Sequence, residues 1–443
     1  MKKEIILENA LSYALKKGAD QCEIFAVNSS SERYVLEDKA LADVNGSKSQ
    51  GFSIRLLKNG VLGFSYGAVA EKNVMEKAID DALVSCKFLD SEPYYHFTPH
   101  GLIYPNVPWE AQEEVGFKEK EEFLYALKSA TLKNKKVKKI DRASLGAAKV
   151  TTIIKNTVGL DLSFSANYVT GSVVAISQTA TETETGGDAM AKRLFSQLDA
   201  DKIGANAGFN AVNKLNAITV KTGEYPVIID GDAVVDFLGI ILPSFLGDNI
   251  RKGQSKLAEK IGEIITHRDL TLCDNPLLPW GIASNSFDDQ GTPCGKNILI
   301  DHGKVKSFLY DTVAAAKADV KPTGNGFANS AKSLPTTGFT NYYIKSGKDT
   351  LQSMVKGIKS GIYIRDLMGL HMANPISGDF SLGVRGNLIT NGEMATAISG
   401  NMVAGNVFQL LRDVEAVGDE IKFYGYRGAP PLKISSMKIS GKT

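Results

Sequence analysis

Few residues in this chain are of a type and spacing that could carry chemistry. There are five histidines, His96, His100, His267, His302 and His371, and none belongs to an HExxH or HxH pattern. His96 and His100 are four apart, as metal ligands on one helical face would be, but Pro93 and Pro99 favour a loop with solvent-facing polar groups. His371 follows Met368-Gly369-Leu370 and is either a functional imidazole or a satisfied polar side chain. SxxK occurs at Ser353–Lys356, where a helix surface is expected, and at Ser435–Lys438, where a strand is expected. Gly324-Asn325-Gly326-Phe327-Ala328-Asn329 opens like a dinucleotide fingerprint but lacks its third glycine and a following helix pattern. Asp288-Asp289 could bind a metal or work as an acid–base pair. The flanking Phe287 and Gln290-Gly291-Thr292-Pro293 suggest instead a turn held by Asp side chains. Hydrolysis by this chain alone would have to run through Asp288, Asp289 or His371, and the inventory by itself names no reaction.

The elements that must position these residues point to an α+β chain in two domains, an N-terminal helix and antiparallel-sheet domain over 1–217 and a C-terminal, mainly antiparallel β domain with a few helices over 218–443. Helical spacing over residues 5–17 ends at Gly18. Strands are expected at 22–27, 33–36 and 41–44. A hairpin follows, 51–57 and 61–66 about Asn59-Gly60, and then a helix over 71–87. Residues 90–115 read as an irregular connection and 119–129 as a helix. Further strands are expected at 143–154, 160–165 and 169–177. Polar Thr179–Gly187 reads as a loop and 199–215 as a helix. Beyond a boundary near Lys221–Pro226 come a strand at 227–229, a buried helix over 232–246, a hairpin about His302-Gly303 and a helix over 349–359.

Composition excludes several classes. Among the 443 residues 43% are hydrophobic, enough for an ordinary core and too many for wholesale disorder. A formal net charge of +2 gives no electrostatic case for a nucleic-acid or membrane partner, and the basic run Lys133–Lys139 reads as a solvated helix end or strand start. The N-terminus lacks the apolar core of a signal peptide, and no window of about 18 apolar residues could span a membrane. Cys22, Cys86, Cys273 and Cys294 form no CxxC and read as reduced thiols, so a soluble cytoplasmic protein is expected.

Several long segments together resemble the TldD/PmbA family. They are Ser286-Phe287-Asp288-Asp289-Gln290-Gly291-Thr292-Pro293, the hairpin Leu299–Val305 with Phe308–Asp311, Thr323–Gly326, Gly361–Ile364, Leu367–Gly369, Asn374–Gly383 and Asn391-Gly392-Glu393, with residues 5–87 similar to the family's first helix–hairpin–helix. The resemblance implies two kinds of member. TldD-like chains carry HExxxH and a C-terminal Cys; two imidazoles and a thiolate hold zinc, and the Glu takes a proton from the metal-bound water. PmbA- or TldE-like chains lack these and pair with the first kind in a metallopeptidase acting on unfolded peptides. Counting back from Gly247-Asp248-Asn249-Ile250-Arg251-Lys252-Gly253, the family's His, Glu and second His fall at Leu238, Gly239 and Pro243, and its Cys near 423–428, where none occurs. The resemblance therefore implies a zinc-free chain with no catalytic or metal-ligating residue, zinc in an HExxxH partner, and Asp288, Asp289, Asn325, Asn374 and Ser377 lining a peptide chamber. Turns that need Asp, Asn and Gly explain the same five positions without a ligand. The alternative to a heterodimer is a non-catalytic homodimer, a binding or regulatory protein of the gyrase-modulator kind.

Overall fold

Asn59 and Gly60 both adopt left-handed backbone, with φ 51° and 74°, as the two-residue hairpin turn that follows strand twist requires. They join β2 (Leu41–Lys58) to β3 (Val61–Gly67), with Lys58 opposite Val61. The computed structural model describes residues 2–37, 40–107 and 113–442. With β1 (Gln21–Glu37), β4 (Val137–Asn156), β5 (Asp161–Gln178) and β6 (Thr183–Lys192), these strands form one antiparallel sheet in the order β3-β2-β1-β4-β5-β6.

Helices α1 (Lys2–Lys16) and α2 (Lys72–Ser85) bury Leu7, Leu11, Met75 and Ile79 on Cys22, Ile24 and Phe52. Helices α3 (Phe117–Leu132) and α4 (Ala200–Val212) bury Leu124, Leu127 and Ile203 on Tyr34, Leu36 and Leu145 at the other end. The β1 positions packed on these helices, Cys22, Ile24, Tyr34 and Leu36, are all even-numbered, so the period of two places both helix pairs on one face. The opposite face meets the C-terminal half. Phe25, Ile154 and Leu160 pack on Phe287. Arg55, ion-paired to buried Glu23 at 3.1 Å, donates from Nη2 to the Asp289 carbonyl at 2.9 Å. Arg193 donates from Nε and Nη2 to the carbonyls of Gly281 and Ser284 at 3.0 and 2.9 Å.

In the C-terminal half, β7 (Gly223–Ile229) is followed by α5 (Gly231–Ile241). Short strands come next: β8 (Leu272–Asp274), β9 (Asn297–Asp301), β10 (Lys304–Val305), β11 (Gly326–Phe327), β12 (Thr336–Thr337) and β13 (Tyr342–Ile344). The last set is β14 (Ser360–Met368), β15 (Asp379–Thr390), β16 (Glu393–Asn406), β17 (Val414–Val417), β18 (Lys422–Tyr424), β19 (Arg427–Ala429) and β20 (Leu432–Ser440). One sheet runs β16-β15-β14-β7-β20-β17, and β16 also pairs with β20 at Met402–Ser440 and Val403–Ile439, so five strands close on themselves. A second sheet runs β10-β9-β8-β13-β19-β18, and β11 pairs with β12. Helix α5 is apolar on most sides; Val234, Phe237, Leu238 and Ile241 join Val227, Ile364, Leu382 and Leu432 in the largest core.

The α+β class with antiparallel sheets is as expected from the sequence. Thr179–Gly187 is not wholly a loop: Thr183 onward forms β6, paired with β5 from Gln178–Thr183 to Val169–Lys192. Residues 161–165 and 169–177 belong to one strand, and 33–36 and 41–44 are the facing ends of two long antiparallel strands. The helix expected over 232–246 stops at Ile241, and Pro243 lies in a 3-10 turn, Leu242–Phe245. The connection expected over 90–115 carries no regular helix or strand among its described residues; 108–112 lie outside them.

Candidate functional site

Helix α5 is anchored at its start. Asp230 caps it by accepting from the Asp232 amide at 3.2 Å, and its carboxylate also accepts from the Tyr363 hydroxyl and, at 3.3 Å, from Tyr424. Asp232, Asp236, Gly239 and Pro243 then form the stripe of the helix and its following turn that escapes full burial. Gly231 packs so closely on the Ala429 carbonyl that a Cβ would collide with it, which holds the β18–β19 hairpin against the helix. The structure thus sets the β18–β19 hairpin against α5, the helix that carries Leu238 and Gly239. Leu238 is 1% exposed in the core. Gly239 faces outward, with nothing within 4 Å of where a Cβ would stand. In the hairpin, Arg427 Nη1 stands 3.9 Å from Asp236 Oδ1. Leu238, Gly239 and Pro243 offer no ligating side-chain atom. Among the described residues, no group of three or more His, Cys, Asp or Glu is arranged to hold a metal. These residues do not fit zinc; the cation beside α5 is the guanidinium of Arg427.

A cleft of about 670 Å³ opens beside this helix, between β5, β6 and α4 on one side and Asp230, Asp232, Arg365, Asp366, Arg385 and the β18 hairpin on the other. Its floor is small: Thr170, Ser172, Gly187, Ala189 and Ala191. Strands β6 and β18 both line it, and each is the last strand of its sheet, without a second partner among the described residues. Burial, then Asp236, Asp230 and Asp366, push the Asp232 carboxyl up to about 6, against the pull of Arg427. Burial also raises Asp236, whose main counter-charge is Arg427. Lys214 reaches Asp366 across the cleft at 3.9 Å.

The five residues named from the resemblance lie in two places. Asp288 is fully buried and accepts from the amides of Gln290, Thr292 and Gly326 at 3.0, 2.9 and 2.8 Å; burial pushes its carboxyl up to about 7. Asp289 accepts from the Ala328 amide at 2.9 Å. Asn325, also fully buried, donates to Asp274 and to the Gly338 carbonyl. These three side chains hold loops together. Asn374 is exposed and Ser377 half-buried; Asn374 accepts from the amides of Ile376 and Ser377, and Ser377 donates to Asp379. None of the five lines the cleft. His371 lies in an exposed 3-10 turn, and His96 and His100 sit on loop carbonyls of Tyr94 and Val158. The cleft residues Arg365, Asp366 and Arg385 carry no local motif. Their one sequence signal is a pair of charges interrupting the apolar strand after Ile364.

Comparison with known proteins places the whole architecture. Models described as PmbA/TldA metallopeptidase domain 1, central domain and C-terminal domain match residues 22–85, 110–215 and 222–441. The chain belongs to the PmbA/TldD family. A metalloprotease TldD homolog from Buchnera aphidicola is 25% identical over 433 residues, covering 93% of this chain and 88% of that protein. TldE from Thermococcus kodakarensis superposes with a TM-score of 0.90 at 25% identity, over 98% of this chain and 100% of that one. A Thermotoga maritima structure described as a modulator of a DNA gyrase superposes at 0.91 and 25%, over 99% and 100%. The PmbA/TldD fold therefore spans essentially all of this chain. No described helix is long and apolar enough to cross a membrane.

Proposed function

We propose that this chain is the PmbA/TldE-like, zinc-free subunit of a TldD/TldE-type metallopeptidase, and that it holds unfolded peptides for a TldD-like HExxxH partner that carries the zinc. The observation that carries this reading is the α5 site. Where the family's metal ligands and general base would stand, the chain has a core leucine, a bare glycine and a proline. No water can be activated by such groups, so the chain contributes binding and leaves bond cleavage to its partner. The cleft supports the binding half. An extended segment lying between β6 and β18 could bond through its backbone to either open edge, which tolerates many side-chain sequences, and the small floor residues leave room for its side chains.

The test is a peptidase assay on an unfolded peptide with zinc content read on the same samples. The chain is purified alone and co-purified with an HExxxH-bearing family member. Activity and zinc are expected in the mixed sample only. Stoichiometric metal and turnover in the chain alone would overturn the reading.

A further inference from the structure

Two guanidinium groups in the cleft, those of Arg365 and Arg385, have no carboxylate partner among the described residues. Arg365 is held from several directions. Its guanidinium lies between the rings of Phe209 (5.1 Å) and Tyr363 (4.7 Å). Its Nε donates to Asn387 Oδ1 at 2.9 Å. Asn387 is itself fixed, exchanging two hydrogen bonds with Asn213 at 2.9 and 3.0 Å and donating to the Ala395 carbonyl at 3.1 Å. Among the described residues, its one further hydrogen bond runs from Nη2 to Met394 Sδ at 3.6 Å. No carboxylate of a described residue lies within 4.0 Å of it. Arg365 also sits at a break in register between β14 and β15, where Ile364 pairs with Gly386 and Asp366 with Arg385. Such a bulge re-aims a side chain and recurs at functional sites.

Arg385 is the neighbour across that bulge. It shares a face of β15 with Asn387, two residues on, and stands at a second register break, between β15 and β16. Its cross-strand neighbour Asp366 is paired with Lys214 instead. Both arginines line the cleft. A guanidinium stacked between two rings and pinned at Nε has lost its rotamer freedom before any ligand arrives, so binding spends little further entropy on it. Arg385 brings a second planar fork to the same bulge from the adjacent strand, and such forks match the geometry of a carboxylate.

We infer that Arg365 and Arg385 form a carboxylate clamp that receives the C-terminal carboxylate of an extended peptide lying in the cleft. The peptide part rests on the reading proposed above; the carboxylate part rests on the two arginines. The clamp gives the cleft polarity, because a peptide seated by its free end can run in only one direction between β6 and β18. It favours chains that already have a nearby C-terminus, such as fragments and tails, over the interior of a long polypeptide.

Fluorescence anisotropy tests this with a short Gly/Ser/Ala peptide labelled at its N-terminus, prepared as the free acid and as the C-terminal amide. The acid should bind about tenfold tighter than the amide, the size of one charge-assisted contact. Arg385→Ala, which removes a side chain with no described hydrogen bond, should erase that preference while circular dichroism and melting stay unchanged. Arg365→Lys keeps the charge but not the planar stack and should erase most of it. Equal binding of acid and amide to the unchanged chain would overturn the clamp and leave the peptide reading standing. Absence of binding by either peptide would overturn both. Displacement of the labelled acid by glutarate as readily as by unlabelled peptide would overturn the peptide assignment.

Discussion

Asp232 is the second residue of α5, with three other carboxylates in its field and Arg427 against them. Its folded-state value, pushed up to about 6, exceeds the roughly 3.9 of an unfolded aspartate. The folded chain therefore holds this proton more tightly. The stabilising contribution is complete below the unfolded value and is lost as pH rises through about 6. Asp232→Asn removes a charge that the folded state disfavours. Its melting temperature should exceed that of the unchanged chain at pH 8, with the margin shrinking toward pH 4; a margin that does not vary with pH would contradict the crowded-carboxylate field. Asp288 is the opposite case. Its residue type and the Gly-Thr-Pro that follows already suggested a turn held by Asp side chains, and three backbone amides now account for it. The cleft arginines were not legible in the same way. Phe209 and Asn213, which orient Arg365 directly and through Asn387, are more than 150 residues away in sequence, and no local spacing records a contact made by the folded chain.

At the scale of elements, α5 sits within the largest core. It is buried on most sides, and its exposed stripe contains Gly239 with open space around it. A glycine in an exposed helical position costs about 0.5–1 kcal/mol relative to alanine. Gly239→Ala should therefore raise the unfolding free energy by that amount, read as a higher denaturant midpoint at unchanged slope, and a fall would mean that something not yet identified needs the bare backbone. The long, strongly apolar elements were readable from periodicity, and so was the Asn59-Gly60 hairpin. Strand β6 was not. Its sequence, Thr-Glu-Thr-Gly-Gly-Asp-Ala-Met-Ala-Lys, has almost no apolar alternation, because one face lies under α4 through small residues and the other lines the cleft. Gly186 illustrates the point: a Cβ there would collide with the backbone of Asn210 and Ala211. Close packing against a helix demanded glycine, and glycine made the strand look like a loop.

Over the whole molecule, the two halves are tied by buried polar contacts. Arg55 and Arg193 reach from the N-terminal sheet to the carbonyls of Asp289, Gly281 and Ser284. Thr98 and Tyr104 of the connecting segment donate to the carbonyls of Gln290 and Gly291. Breaking such ties would strand buried donors and acceptors, at about 1–3 kcal/mol each. The halves should accordingly melt together in a single calorimetric transition, and Arg193→Leu should lower that transition or split it in two. Two separate transitions in the unchanged chain would show the ties to be weak. A different consequence follows from the strand that closes the C-terminal sheet. Leu432–Ser440 pairs with β7, β17 and β16, so it completes a ring whose first member was made some two hundred residues earlier. While the ribosome is still at work the N-terminal sheet can be finished, but the C-terminal ring has a gap and its core is open to water. Folding of that half waits for the last stretch of the ring to emerge from the exit tunnel. A premature stop codon shortly before residue 432 would leave the ring unclosed, handing the cell's quality-control machinery a product with an exposed core.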